Sequence, residues 1–314
     1  MKHIVSSGEF ERPWLDRLFR LAQGMQARRG KPGEVLIGKL MVTLFYEAST
    51  RTRMSFEAAM RYLGGMVSST ENAGQFSSAI KGETLEDSIR VVSGDCDVIV
   101  IRHPMTGAAA RASLVSRVPI INAGDGVGEH PTQALLDVYT LLAERRLLDR
   151  LSEPNVLDGL TVTMFGDLKN GRTVHSLARL LRSYGRVHLN FVSPHALRLP
   201  GGLLHELSDN GVGVFETDHL SDVLAATNVL YVTRVQKERF DDPKEYETVK
   251  SSYRIDLDAL RGAKDDLVIM HPLPRVDEIA PTVDALSNAA YFRQADNGLP
   301  VRMALLQMIF QNRS

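Results

Sequence analysis

The chain of 314 residues has one cysteine, one tryptophan and almost no net charge. A single thiol, Cys96, excludes an intrachain disulfide framework. One cysteine among nine scattered histidines also offers no CxxC or HExxH spacing for zinc. A reducing cytoplasm is the expected compartment. The 37 lysines and arginines nearly cancel the 38 acidic residues, so no overall field exists to hold a nucleic-acid backbone or an anionic membrane surface. Any anionic ligand must therefore be met by local clusters. No apolar run approaches the ~18 residues of a membrane span, and the start, Met1-Lys2-His3-Ile4-Val5-Ser6-Ser7-Gly8-Glu9, lacks the apolar stretch of a signal peptide. A soluble protein that is not exported is expected. No repeat of about 20–50 residues and no low-complexity segment is visible.

What remains is ordinary globular usage, 44% hydrophobic and 24% charged. At roughly 150 residues per domain it leaves room for two domains. Leu15, Leu18, Phe19, Ala22 and Met25 recur at helical spacing and predict a first amphipathic helix. Short apolar runs then alternate with helical stretches. Strands are expected at Met41 to Tyr46, Asp97 to Ile101 and Pro119 to Asn122, and helices near 52–64, 84–93, 107–116 and from Pro131 to Arg150. The looser stretch Leu151-Ser152-Glu153-Pro154-Asn155 marks the expected domain boundary. The alternation resumes with strands at Leu160 to Phe165, Val187 to Val192, Val212 to Phe215, Asn228 to Thr233 and Leu267 to Met270. Helices are expected to start near Arg172, Leu203 and Leu220. Parallel strands need crossover connections that cover both sheet faces. The predicted fold is therefore α/β, with two doubly wound open parallel-sheet domains over residues 1–150 and 151–290 and an active-site cleft between them. A terminal apolar helix, about 291–314, is expected to pack back on the first domain.

Candidate chemistry clusters where such sheets bind ligands, outside the C-terminal strand ends. After the first strand, Ser49-Thr50-Arg51-Thr52-Arg53 enters a helix. Hydroxyls, free N–H groups, the helix dipole and a forked arginine together make an anion cradle without glycine. Taken alone, the same residues also describe a Ser/Thr N-cap with two surface arginines. Arg102-His103-Pro104, Asn122-Ala123-Gly124-Asp125-Gly126 and Glu129-His130-Pro131-Thr132-Gln133 fall on the same rim. In isolation His130 reads as a packing residue before a helix-starting proline, but its place on the rim favours a chemical role. In the second half the rim carries Gly166-Asp167-Leu168-Lys169-Asn170-Gly171-Arg172, Thr233-Arg234-Val235-Gln236 and His271-Pro272-Leu273-Pro274-Arg275. The glycine spacing fits neither GxGxxG nor GxxxxGK[ST], so Arg172 and Arg234 are read as carboxylate forks or as surface ion pairs. The polar stretch Ser69 to Gly82, with Ser77 and Lys81, is long for an α/β connection and reads as a functional loop.

These motifs resemble the carbamoyltransferase family. Ser49-Thr50-Arg51-Thr52-Arg53 is similar to its carbamoyl-phosphate signature, as are Arg102-His103-Pro104 and His130-Pro131-Thr132-Gln133. His271-Pro272-Leu273-Pro274 resembles the aspartate branch, because ornithine enzymes carry cysteine at the second position. Gly171-Arg172-Thr173-Val174-His175-Ser176 and Thr233-Arg234-Val235-Gln236-Lys237-Glu238-Arg239 resemble that branch as well, and the likeness runs colinearly from about Phe45 to Leu306. The resemblance implies carbamoyl transfer from carbamoyl phosphate to the amine of L-aspartate, with no cofactor and no metal. It assigns Ser49, Thr50, Arg51 and Thr52 to the phosphate, Thr52, Arg102 and His130 to the carbonyl oxygen, and Gln133 to the carbamoyl NH₂ group. Arg172, Arg234, Gln236, Leu273 and Pro274 would hold aspartate, with closure of the domains on binding. It further implies a cytoplasmic homotrimer in which Ser77 and Lys81 reach a neighbouring chain's site, with possible regulatory chains. An amino-acid carbamoyltransferase of another specificity and a non-catalytic anion-binding protein are the alternatives.

Overall fold

The computed structural model describes residues 3–28, 31, 33–71, 82–235 and 253–311. The chain divides into two compact units, Met1–Leu136 with Asn297–Ser314, and Asp137–Asp296. In the first unit α1 (Arg12–Gln26) buries Leu15, Leu18, Phe19, Ala22 and Met25 on one face. Then follow β1 (Leu40–Phe45), α2 (Thr50–Tyr62), β2 (Met66–Glu71), α3 (Leu85–Val92), β3 (Val98–His103), α4 (Ala108–Val115), β4 (Ile120–Asp125) and α5 (Pro131–Glu144). The strands form a parallel sheet in the order β2-β1-β3-β4. Ile4 extends it by bridging to Ile121, its N–H donating to the Ile120 carbonyl at 2.8 Å. Ile89, Ile99, Ile101, Ala109, Ala112 and Ile120 close one face of this sheet.

The second unit holds β5 (Thr161–Phe165), α6 (Arg172–Leu181), β6 (His188–Val192), α7 (Gly201–Asp209), β7 (Gly213–Thr217), β8 (Val229–Val232) and β9 (Val268–Met270). Its sheet is again parallel, ordered β7-β6-β5-β8-β9. The strand order of each sheet reverses beside its first strand, at β1/β3 and at β5/β8. At such a reversal the two following loops lead to opposite faces and leave a crevice at the C-terminal ends. The last helix, α8 (Tyr291–Gln311), runs through the division between the units, as does α5. No helix among the described residues is long and apolar enough to cross a membrane.

The structure departs from the sequence expectations in three places. The stretch read as a loop from Ser69 opens with the end of an edge strand, β2, whose mostly exposed Met66, Ser68, Ser69 and Glu71 show no apolar alternation. An edge strand with one partner needs no two-faced apolar pattern. α5 stops at Glu144 instead of Arg150, because Arg146 takes φ 56° and the Leu147 N–H turns back to the Leu142 carbonyl at 2.8 Å. That left-handed stop uses no glycine and so leaves no sequence signal. The helix expected from Leu220 is instead two short 3-10 turns. There the Thr217 hydroxyl donates to Asp222 at 2.6 Å and the Thr227 hydroxyl to the Val223 carbonyl at 2.8 Å, side-chain bonds that compete with a helix. α8 starts at Tyr291, where the terminal helix is expected, and carries Pro300 in its interior.

Inside the second unit a polar relay crosses the β5 core. Asn190 donates to Thr163 Oγ1 at 3.2 Å, the Thr163 and Thr227 hydroxyls meet at 2.6 Å, and Thr227 donates onward to a carbonyl. Thr163 and Thr227 are fully buried, so a missing partner there leaves polar groups in an apolar medium. Thr163→Val, equal in shape, should lower unfolding stability by about 1–3 kcal/mol. Chemical denaturation checks this, and a change within error would remove the relay from the stabilising contacts.

Candidate active site

In the first unit the chain leaves β1 through Tyr46-Glu47-Ala48 and enters α2 at Ser49. Ser49 is extended at φ −159°, and its carbonyl accepts the Arg53 N–H at 3.1 Å, while its hydroxyl makes no capping bond. Among the described residues nothing accepts a hydrogen bond from the N–H groups of Thr50, Arg51 and Thr52. The positive end of the helix therefore stays open to an anion. The two arginines of the motif differ. Arg51 is exposed and has no ion pair among the described residues. Arg53 donates to Glu57 and Glu71, both at 2.9 Å, while Ser69 donates to Glu57 at 2.7 Å and accepts from Thr43 at 2.9 Å. Arg53 thus holds α2 to the β2 edge, and Arg51 is the cation left for a ligand.

Arg102 lies at the end of β3, beside Phe45 in register. Its guanidinium donates to the Ala123 carbonyl at 3.3 Å and pairs with Glu47 at 3.5 Å, which fixes it over the β1 and β4 ends. Glu47 was not singled out from the sequence, because its partner lies 55 positions away and no spacing links them. The neighbouring His103 ring lies tilted against Tyr46 with ring centroids 4.8 Å apart, and its Nδ1 accepts the Met105 N–H at 3.0 Å. Burial lowers its pKa, helped by Arg111 and opposed by Glu47 and Asp125.

The turn from β4 to α5 is tied on both sides. Asp125 accepts the Gly107 N–H at 2.8 Å and the Glu129 N–H at 2.9 Å. Glu129 in turn accepts Ser6 Oγ at 2.7 Å, the Ser7 N–H at 2.8 Å and the Ser7 hydroxyl. Gly126, at φ 49°, sits where a Cβ would come within 2.5 Å of Thr106 Oγ1. These ties present His130 and Gln133, both buried, at the first turn of α5. The His130 carbonyl accepts the Gln133 N–H at 2.9 Å, and its Nδ1 lies 3.5 Å from Thr132 Oγ1. Ser49 to Thr52, Arg102, His130 and Gln133 therefore all stand at the C-terminal edge of one sheet.

In the second unit Gly166 follows β5 at φ 116°, where a Cβ would lie 2.4 Å from the Thr233 carbonyl oxygen. That close approach lets the Thr233 hydroxyl donate to the Phe165 carbonyl at 3.1 Å and locks the β5 and β8 ends together. Asp167, fully buried, accepts the Asn170 N–H at 2.9 Å and shapes the turn into α6, whose first residue is Arg172. Arg234 lies two residues past the end of β8. The two guanidinium-bearing residues thus leave adjacent strands at the reversal of this sheet. Arg275 is committed elsewhere, forking onto Asp284 with its Nη2 at 2.5 Å. Gln236, Ser77 and Lys81 lie outside the described residues.

Beyond β9 the loop of Leu273 and Pro274 is built on buried groups, of which only His271 stands in a sequence motif. His271 Nε2 bonds Glu278 Oε1 at 2.7 Å, and Glu278 Oε2 accepts the Val276 and Asp277 N–H groups at 3.0 and 3.1 Å. The His271 N–H donates to Gln294 Oε1 at 2.8 Å, Gln294 donates to Asp137 at 2.7 Å, and Tyr231 donates to the other Asp137 oxygen at 2.8 Å. Burial and the Asp137 charge raise the Tyr231 pKa well above its ordinary value. Asp137 had one sequence signal, an acid among Leu135, Leu136, Val138 and Tyr139 on an apolar helix.

Residues 2–143 match the carbamoyl-phosphate-binding domain of the aspartate/ornithine carbamoyltransferases, and residues 158–309 match their aspartate/ornithine-binding domain. The chain belongs to the aspartate/ornithine carbamoyltransferase family. The aspartate carbamoyltransferase catalytic subunit of Methanosphaerula palustris is 51% identical over 309 residues, 98% of this chain and 99% of that one. That of Methanocella arvoryzae is 49% identical over 308 residues, covering 98% and 97%. Among solved structures, the catalytic subunit of M. jannaschii aspartate transcarbamoylase superposes with a TM-score of 0.89 at 46% identity, covering 99% of each chain. The Trypanosoma cruzi aspartate transcarbamoylase in complex with carbamoyl phosphate and aspartate gives 0.88 at 41% identity, covering 98% of this chain and 94% of that one.

Within this carbamoyltransferase fold Glu278 sets an acid limit on the second unit. Burial works to raise its pKa, but the hydrogen bond to His271 and the backbone N–H groups outweigh it, leaving the carboxyl below its ordinary 4.5. A depressed carboxylate contributes stability that is complete above its unfolded value and fades as pH falls through the lower folded one. Glu278→Gln should therefore unfold more easily than the parent chain at pH 7, and the gap should close as the pH drops below the ordinary carboxylate range. Denaturant titrations at several pH values check this. A gap that stays constant with pH would contradict it.

Proposed function

We propose that this chain is an aspartate carbamoyltransferase, transferring the carbamoyl group of carbamoyl phosphate to L-aspartate to give N-carbamoyl-L-aspartate and phosphate in de novo pyrimidine biosynthesis. In this reading the phosphate sits on the open N-terminus of α2, held by Ser49, Thr50, Thr52 and the uncommitted Arg51 fork. Arg102, His130 and the Thr52 hydroxyl donate toward the carbonyl oxygen and stabilise the negative charge it gains in the tetrahedral intermediate. Gln133 accepts from the carbamoyl NH₂ group. Arg172 takes the aspartate α-carboxylate, Arg234 takes the β-carboxylate with Gln236 orienting it, and Leu273 and Pro274 meet the amine through the backbone.

The amine attacks as the neutral base, the C–N bond forms, and the C–O bond to phosphate breaks. The departing phosphate can take the amine proton, so the chemistry uses no protein nucleophile, and catalysis is positioning and electrostatics. The observation that carries the choice of acceptor is the pair of Arg172, at the start of the helix that follows β5, and Arg234, just past the end of the adjacent strand β8. Two guanidinium groups suit a dicarboxylate, and they would repel the side-chain ammonium of ornithine.

The purified chain with carbamoyl phosphate should carbamoylate L-aspartate and leave L-ornithine essentially untouched, with no added metal or nucleotide. Equal turnover of ornithine would sink the assignment. Arg51→Ala should weaken carbamoyl phosphate binding by roughly 10–150-fold, the worth of a charge-assisted hydrogen bond. Arg234→Ala should raise the aspartate requirement and leave phosphate binding intact. Calorimetry with phosphate on both variants separates the two roles.

We further propose a cytoplasmic homotrimer in which Ser77 and Lys81 complete a neighbouring chain's site, with regulatory chains as possible partners. The single cysteine and the absence of a charge field support the compartment, and the name catalytic subunit carried by the relatives supports an assembly. Mixing nearly inactive Lys81→Ala and Arg51→Ala chains and allowing random reassembly should restore roughly a quarter of the sites if sites are shared in a closed ring. Activity that stays at the level of the unmixed variants after verified hybrid formation would refute sharing.

A further inference from the structure

The backbone at Leu273 needs an explanation. It takes φ 53°, a left-handed conformation that leucine rarely adopts, at a residue proposed to meet the aspartate amine. Strain of this kind persists only where the surroundings over-determine it. Here the Leu273 N–H donates to His271 Nδ1 at 2.8 Å, two residues back. The same imidazole is 1% exposed and meets Glu278 through Nε2 at 2.7 Å, and its own main-chain N–H is held by Gln294 at 2.8 Å.

These contacts settle the protonation of the ring. Nδ1 receives an N–H, so it must offer its lone pair. A proton there would set donor against donor at hydrogen-bond distance. Glu278 accepts from two backbone N–H groups on one oxygen and faces Nε2 with the other, the pattern of an ionised, acceptor-only carboxylate. The proton therefore sits on Nε2. The arrangement matches the way a carboxylate fixes a catalytic or metal-bound histidine through the far nitrogen, but here the near nitrogen grips the protein's own backbone.

We propose that His271, held by Glu278 as the neutral Nε2–H tautomer, is a positioning residue that sets the Leu273 and Pro274 backbone for the aspartate amine. This rests on the functional reading above and goes beyond it, because His271 itself would touch no substrate. A fully buried histidine in a core would otherwise be read as packing. Two substitutions separate those possibilities, because an asparagine amide reaches about as far as Nδ1 and a glutamine amide about as far as Nε2. His271→Asn keeps an acceptor for the Leu273 N–H and gives up Glu278. His271→Gln keeps Glu278 and gives up the acceptor, although its volume is the closer match to histidine.

Steady-state kinetics of the full chain at saturating carbamoyl phosphate is the first measurement. His271→Asn should keep the KM for aspartate within about threefold of the parent, and His271→Gln should raise it about tenfold or more. Phosphate binding should stay unchanged in both. Melting temperatures show whether a loss merely follows stability, and a KM that rises equally in both variants, or in step with melting temperature, would overturn the inference. The second measurement needs no variant to fold well. Two-bond ¹H–¹⁵N spectra of the histidine-labelled parent, with the His271 signal assigned by its disappearance in a variant, should show the Nε2–H tautomer at neutral pH. A cationic or Nδ1–H ring in a parent chain that carbamoylates aspartate would overturn this inference alone, whereas a parent chain that does not use aspartate would overturn the functional reading.

Discussion

Parallel pairing is the constraint from which the site follows. When strands run parallel, every strand ends on the same edge, and every loop leaving that edge begins at nearly the same height. Phe45 stands beside Arg102 and Phe165 beside Val232, so the segments that follow these pairs start together though they are dozens of residues apart in the chain. The order of each sheet then reverses at this pair, which opens a crevice where an anion or a carboxylate can approach open helix N-termini. Residues 49–52 and Arg172 both occupy such starts. The polar chemistry of each unit is thus an outcome of topology before it is a matter of side chains.

A second layer holds those loops still. In the first unit, carboxylates fill that role: Glu57 and Glu71 engage Arg53, Glu47 engages Arg102, and Glu129 binds the chain start through Ser6 and Ser7. Each takes up donors that could otherwise wander, and among the described residues Arg51 is left without an ion pair. In the second unit the support is buried and partly neutral. Tyr231, Asp137 and Gln294 form a hydrogen-bonded chain that reaches from β8 through two helices to the main chain of His271, and Glu278 completes it. Buried polar chains of this kind are costly when one member is missing and rigid when all are present. That rigidity suits the proposed mechanism, in which catalysis is positioning and electrostatics.

Much of this was legible in the amino-acid order. Alternation of short apolar runs with helical spacing determined the α/β class and located most strands, because buried parallel strands are apolar on both faces. Ser49-Thr50-Arg51-Thr52 before an amphipathic run, and arginines just past strand ends, marked the candidate site, since residues that bind anions at helix starts are local in sequence. Only the tertiary structure decided which arginine of the motif is tied down among the described residues and which is not, because Glu71 lies on an edge strand with no apolar pattern to announce it. Only it showed that α5 ends on a left-handed arginine, for which no glycine gave notice. The Asp137–Gln294 contact joins residues 157 positions apart, and His271 with Glu278 depends on a loop whose path no periodicity describes. Local propensity and patterning are written along the chain, whereas the partners of buried polar groups are chosen by packing, which acts between segments that the sequence keeps apart.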